Sequence, residues 1–570
     1  MDSALFGLSL LPTWVVVISG LFFWIPGELF IRLAGARIVE GRSACFLLGQ
    51  LPALVALLSI AQLIVGHLHV SLSLISLAAA TCVGLLIRNW LVARLRWIPS
   101  WSSRPSLGDS LINISFIISL YVGFLYLIWW LPAGIRGVWV WPLQFEPESH
   151  SFFPCLISFV SICALLISRW KIERHRLDLA LIILPVASAL MQVAAWLSQS
   201  VSLIQIYTLD KITGYYSASR VFSSISDLFL RFNESLPGLP YHVVSHPIGK
   251  VLVFKLSSQV FEAPGDLFAV RVVIVIVSAC SSLLVWHLAW RLWRIERSAL
   301  IAGILSALLP SIAFFSPLFD VFNVFLSVLL MLCWICSLQA RRMRSRLIWS
   351  FLLGLVGYVA VFFAFNLLII GLFLVAALPA VASLEADVSG FWGRALRVGV
   401  FSSAVFVIVG VFVYFLFGYD LLSGLRVSLE MDELVRPAQY RALVSRLFNI
   451  QELMWGFGGL NFIWLSSVFV TLISPRLRRE LSDPTLFSHR WMGLDSPQLF
   501  LMGQVLSVVL INLIGVLSGE TSRLYALFMP FLLVGLAGVV NSLSLRTVLI
   551  AAFGNAAWIA LGVWRYQFIW

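Results

Sequence analysis

A chain of 570 residues that is 61% hydrophobic and only 11% charged, with a mean hydropathy of +1.00, cannot cover itself with a wettable surface, because soluble domains carry about 25% charged residues. This excludes a water-soluble globular protein and assigns most of the chain to lipid. The formal charge of +12 then reads as Arg held in cytoplasmic loops, not as affinity for nucleic acid.

The first apolar run, from about Leu8 to Phe30, is long enough to span a bilayer and is read as a membrane helix, with no cleavable signal peptide evident. A spanning helix needs about 20 apolar residues. Runs of that kind are predicted near 9–31, 46–66, 70–87, 110–131, 151–167 and 177–199. After a long polar gap they resume near 268–290, 298–316, 320–338, 348–364, 366–383 and 398–418, and after a second gap near 458–474, 498–517, 523–541 and 547–565. The expected fold is an all-α polytopic membrane protein of about sixteen transmembrane helices. The seven cysteines (Cys45, Cys82, Cys155, Cys163, Cys280, Cys333 and Cys336) lie in or beside these runs. Cys333 and Cys336 have CxxC spacing but fall inside an apolar helix, where a buried-thiol reading outweighs a redox or metal one.

Lys and Arg set the sidedness. With the N-terminus outside and the helices alternating, the loops near 32–45, 88–107, 168–176, 291–297, 341–346, 383–397, 475–492 and 541–546 fall in the cytoplasm. They hold about two-thirds of the chain's 38 Lys and Arg, as the positive-inside bias requires. The short outer connections hold only Arg136, Arg523 and Arg565. The gaps at 200–267 and 419–457 then face outward, and so do the turns at Ser316–Asp320 and Ser518–Arg523.

The unusual polar residues therefore gather on one side. Asp210 follows a spanning helix at headgroup depth, where partial burial of a carboxylate raises its pKa towards that of a general base; a solvated loop acid or helix cap is the plainer reading. The stretch after it places Tyr215, Val221, Phe222, Ile225, Leu228 and Phe229 at the spacing of an interfacial helix. His246-Pro247-Ile248-Gly249 makes a turn that sets His246, with His242 and Lys250, at the start of a new segment. Asp320 begins a helix, where the macrodipole favours an acid with or without function. Glu520 and Arg523, at i and i+3, share a helix face; they form a structural ion pair, or leave Arg523 to grip a lipid phosphate in bidentate fashion. The second gap carries Glu430, Asp432, Glu433, Arg436, Arg441, Arg446 and Glu452 with Trp455 near its end, the mixed charge of a solvated or interfacial helix, or of an acceptor groove. Walker A, HExxH and GxSxG patterns and zinc-like ligand spacings are all missing from the sequence.

In their order these motifs resemble the GT-C superfamily of membrane glycosyltransferases, which includes protein O-mannosyltransferases and the lipid A aminoarabinose transferase. Asp210 stands where that family has its first-loop acid, although Asp210-Lys211 replaces an acidic pair; Asp227 is the second choice. His246-Pro247-Ile248-Gly249 is similar to a His-Pro-Pro-Gly turn, Pro317 to Asp320 to a Pro-x-x-Asp, and Gly519-Glu520-Thr521-Ser522-Arg523 to a Gly-Glu-x-x-Arg. The resemblance covers about residues 177–541 as the catalytic core, leaving 1–176 as an N-terminal extension of about five helices and 542–570 as a C-terminal helix. It implies an inverting glycosyltransferase that takes a sugar from a polyprenyl-phosphate donor to an acceptor hydroxyl on the extracytoplasmic face. The expected membrane is a bacterial inner membrane, or the endoplasmic reticulum with the site in the lumen if the source is a eukaryote. Asp210 would be the base, Arg523 would meet the phosphate, and His246, Lys250, Asp320 and Glu520 would bind substrate. No cofactor is implied with certainty; the chemistry admits a divalent metal without requiring one. A transporter or flippase of lipid-linked or glycan substrates, or a non-catalytic scaffold, is the competing expectation. Transporters place their polar groups nearer the bilayer midplane.

Overall fold

The structure, a computed structural model, describes residues 156–164, 177–197, 203–208, 213–385, 387–435, 449, 452–473, 494–515, 521–541 and 543–565, with two short paired strands, Ala133–Ile135 (β1) and Trp139–Trp141 (β2). The predicted spans near 9–31, 46–66, 70–87 and 110–131 lie outside the described residues.

Among the described residues, 7 helical runs are long and apolar enough to cross a membrane: Gly265–Trp293, Glu296–Phe314, Phe319–Gln339, Met343–Phe363, Phe365–Ala382, Val388–Phe417 and Ser496–Ile514. Each overlaps a predicted span, and together they make the chain a multi-pass α-helical membrane protein. The run predicted at 523–541 is divided instead into Thr521–Leu524, a 3₁₀ turn Tyr525–Leu527, and Met529–Val539. Its last piece, 11 residues long, reaches only about 16 Å, short of the roughly 30 Å hydrocarbon core.

By its internal contacts the chain divides into two compact units. The smaller comprises Met1–Val140, Gly459–Leu481 and Ser542–Gly554, and its described part includes the apolar helix Gly459–Ile473. The larger comprises Trp141–Gly458, Ser482–Asn541 and Asn555–Trp570 and holds every element described below.

In chain order the elements of the larger unit used here are α1 (Leu177–Leu197), α2 (Tyr215–Val221), α3 (Ile225–Ser235), α4 (Gly249–Val260), α5 (Gly265–Trp293), α6 (Glu296–Ala307), α7 (Phe319–Gln339), α8 (Met343–Phe363), α9 (Val388–Phe417), α10 (Leu421–Val435), α11 (Ser496–Ile514), α12 (Thr521–Leu524) and α13 (Met529–Val539). Helix α5 packs against α1, α6 and α7; α7 packs on α8, α8 on α9, and α13 on both α6 and α11. With no hydrophobic drive between helices in lipid, close backbone approach and internal hydrogen bonds must hold such a bundle. Gly354 supplies the first where α8 meets α9, since a Cβ there would run into the Ser402 carbonyl and the Val405 side chain. Gln192 supplies the second. Buried on α1, it accepts from Ser278 of α5 at 2.7 Å and from Ser316 at 3.0 Å, which fixes the turn ahead of α7. The Trp293 indole donates to the Val534 carbonyl at 3.0 Å and ties α5 to α13.

The amphipathic stretch after Gly214 forms two helices, α2 and α3. Ser224 adopts extended backbone and its hydroxyl accepts from the Asp227 N–H, starting α3 afresh. The expected apolar face also splits: Tyr215, Phe222, Leu228 and Phe229 are buried, whereas Val221 is 58% exposed.

Candidate functional site

The segment from Pro240 to Lys250 is built from short-range signals. Pro240 precedes a single helical turn, Tyr241–Val244, and the His246 N–H then donates to the Val243 carbonyl at 3.1 Å. The Ile248 N–H reaches the Tyr419 hydroxyl at 3.4 Å. Gly249 lies so close to the end of α8 that a Cβ there would strike the Phe362 carbonyl, and only a residue without a side chain lets α4 begin at that point. The next residue, Lys250, is thereby driven inward and is fully buried.

Three charged side chains from distant parts of the sequence meet there. Lys250 Nζ donates to the Tyr215 hydroxyl at 3.2 Å, sits 5.0 Å from the centre of that ring, and lies 4.0 Å from Oδ1 of Asp320. Asp320, in the first turn of α7, has its other oxygen 3.4 Å from Nε of Arg523 on α12. Both separations are ion-pair contacts but exceed the distance of a strong charge-assisted hydrogen bond. Two cations therefore share one carboxylate without gripping it, and these three side chains sum to one net positive charge.

The groups around it are tuned in a consistent direction. Burial lowers Lys250 to about 8, against the pull of Asp320 and with the help of Arg523. Burial, then Lys250, His242 and Arg523, hold His246 well below its ordinary value, so at neutral pH it is an uncharged imidazole. Burial and Asp320, opposed by Arg523, hold the Tyr215 phenol well above its ordinary value, so it stays protonated. The site thus presents an ammonium, a guanidinium, a phenol and a neutral imidazole around one acid. An anion with several oxygens, such as a phosphate, complements that set.

Of the residues expected from sequence, Lys250, Asp320 and Arg523 come together, with His246 within electrostatic reach and its ring centre 6.0 Å from that of Tyr215. Asp210 and Glu520 lie outside the described residues. The segment before Asp210 is nevertheless anchored at the site: the Tyr207 hydroxyl donates to the Pro317 carbonyl at 2.8 Å, just ahead of Asp320. On the other side of Asp210, the Thr213 hydroxyl donates to the Ile206 carbonyl at 2.8 Å. Asp227, the second choice of base, is occupied structurally. Its carboxylate accepts from Arg231 and, at 2.8 Å, from the Ser223 N–H, contacts that push its pKa far down and leave it a poor proton acceptor at neutral pH. Of the second outer gap, α10 carries Glu430 in an exposed pair with Arg426, the solvated-face reading, and Arg436, Arg441 and Arg446 lie outside the described residues.

Sequence reasoning missed one participant. Tyr215 was read only as part of an apolar face; nothing local marks its hydroxyl as the partner of Lys250. Asn323, one turn along α7 from Asp320, is buried. Cys333 and Cys336 are buried free thiols on α7, as their apolar context implied. Among the described residues, no three His, Cys, Asp or Glu side chains group as a metal-ligand set. No protein-family model matches the chain, and no curated protein or solved structure matches it either.

Proposed function

We propose that the chain is a membrane glycosyltransferase that moves a sugar from a polyprenyl-phosphate donor to an acceptor hydroxyl on the extracytoplasmic face, with inversion at the anomeric carbon. The observation that carries this reading is the convergence of three separated motif residues, Lys250, Asp320 and Arg523, into one cluster at the start of the membrane helix α7. A lipid-linked phosphate is the anion delivered to that depth. The uneven distribution of Lys and Arg supports the outward placement of the site.

In this reading the acceptor oxygen attacks the anomeric carbon as the bond to the phosphate oxygen breaks. The phosphate leaves with the bonding electron pair, and the acceptor proton passes to Asp210. Arg523 and Lys250 stabilise charge where it builds up, on the departing phosphate. Asp320 holds the two cations apart, and neutral His246 is available for a hydrogen bond to substrate without adding charge. The Tyr207–Pro317 bond supports placing the Asp210 segment beside this cluster.

Sugar release or transfer by the purified protein, measured over a panel of polyprenyl-phosphate sugars, tests the reading. Wild type should turn over at least one donor, and Asp210→Asn should lose about 10²–10⁴-fold, the usual worth of a general base. Turnover that survives in the variant would move the base elsewhere. Binding of donor without any turnover would favour a carrier or scaffold.

A further inference from the structure

We infer that Asn323 is a substrate-reading residue whose side-chain amide hydrogen-bonds hydroxyl groups of the donor sugar; this rests on the glycosyltransferase reading and deepens it. Asn323 is 0% exposed, and neither its Nδ2 nor its Oδ1 has a hydrogen-bond partner. Buried polar atoms are nearly always paired, and those that are not call for a specific explanation.

Helix geometry shows where this amide lies. Asp320, Asn323 and Ser327 stand at i, i+3 and i+7 on α7 and so form one stripe. At one end of the stripe Asp320 contacts Arg523 of α12. At the other, the Ser327 hydroxyl donates to the carbonyl of Leu527. Both ends thus touch the segment 523–527, and Asn323 lies between them, facing the same seam. The mouth of the seam is the contact between Arg523 and Asp320, 3.4 Å long, whose side chains are 16% and 11% exposed. A phosphate that draws Arg523 from Asp320 opens the seam where Asn323 waits. His246 adds a second buried unpartnered atom, Nδ1, on the Lys250 side of the cluster.

The chemistry matches a sugar. A primary amide offers two donors and an acceptor, as Nδ2 and Oδ1, within one plane, and adjacent sugar hydroxyls are both donors and acceptors. The phosphate then falls to Lys250 and Arg523, and the sugar to an uncharged group that discriminates among hydroxylated ligands. A site built to hydrogen-bond a hydroxyl strongly rejects an analogue that lacks it.

The test uses the full chain in nanodiscs, with decaprenyl phosphate and a panel of decaprenyl-phosphate hexoses and pentoses as probes. Wild type should bind one sugar-bearing lipid more tightly than the bare phosphate. Asn323→Leu, with the same number of side-chain atoms other than hydrogen and none of them polar, should erase that preference, about tenfold or more, and leave binding of the bare phosphate unchanged. Asn323→Ser, smaller and free of any overpacking, should lose the preference as well. Retention of the preference in either variant would overturn the inference, as would loss of bare-phosphate binding in both, which would mean that the amide is structural. Wild type binding the bare phosphate with no gain from any sugar would overturn it while leaving the phosphate site standing. Binding of neither lipid would overturn the glycosyltransferase reading and this inference together.

Discussion

Helices α7 and α9 are both apolar enough to span a membrane, yet they do opposite work in the larger unit. Of the span that contains α7, 83% of the most apolar stretch is buried, against 11% for α9. The exposed residues of α9 include Leu396, Val400, Val407, Ile408 and Phe415, which suit a helix facing lipid. The interior of α7 carries Asp320, Asn323 and Ser327 on one stripe. Overall hydrophobicity does not separate the two helices; what does is where the few polar residues fall. In a bilayer an apolar side chain is at home on either face, whereas a polar one must find a partner, so polar residues mark the face that turns inward.

Substitutions chosen along these helices sharpen the contrast. The largest stability effect is expected where α9 is locked to α8. Gly354→Leu forces a side chain against Ser402 and Val405 and should cost about 1–3 kcal/mol by overpacking, read as a lower melting temperature of the purified protein. Val407→Leu, at a position 59% exposed on α9, should change neither melting temperature nor turnover. Loss of stability at Val407 comparable to that at Gly354 would mean that α9 is packed against protein and not lipid.

The next effect is one of pH. Lys250 is held at about 8, against 10.5 in its ordinary state. The unfolded chain therefore binds more protons between these values, and Lys250 makes the unliganded protein more stable as pH rises from about 8 to 10.5. Anion binding runs the other way. It needs the ammonium, so affinity for decaprenyl phosphate should weaken as pH rises through 8, by up to about tenfold per unit, with a bound phosphate moving the fall to higher pH. Lys250→Met should remove both trends. A binding curve that stays flat from pH 7 to 9.5 in wild type would show that Lys250 does not meet the anion.

Much of the architecture was legible because spanning helices announce themselves by length and composition. The spans predicted at 268–290 and 320–338 differ from the observed helices by only a few residues. The span predicted at 523–541 is apolar throughout, but hydropathy does not register the 3₁₀ turn at Tyr525–Leu527 that divides its backbone. At the site, Lys250, Asp320 and Arg523 were legible because charge is scarce in this chain and each sits in a short turn motif. Tyr215 was not, because a phenol is unremarkable in sequence and gains meaning only from its neighbours. Asp227 shows the converse: a carboxylate in a suggestive position proved to serve the start of α3.

The central claim, that the Lys250–Asp320–Arg523 cluster exists to hold a lipid-borne phosphate, is tested most directly by comparing decaprenyl phosphate with decaprenol, which differ only in the phosphate. Wild type in nanodiscs should bind the phosphate about 100-fold more tightly, the worth of a well-made charge-assisted contact of roughly 2.7 kcal/mol, and Arg523→Gln should cut that preference about tenfold or more. Equal binding of phosphate and alcohol by wild type, or a preference undiminished in Arg523→Gln, would contradict it.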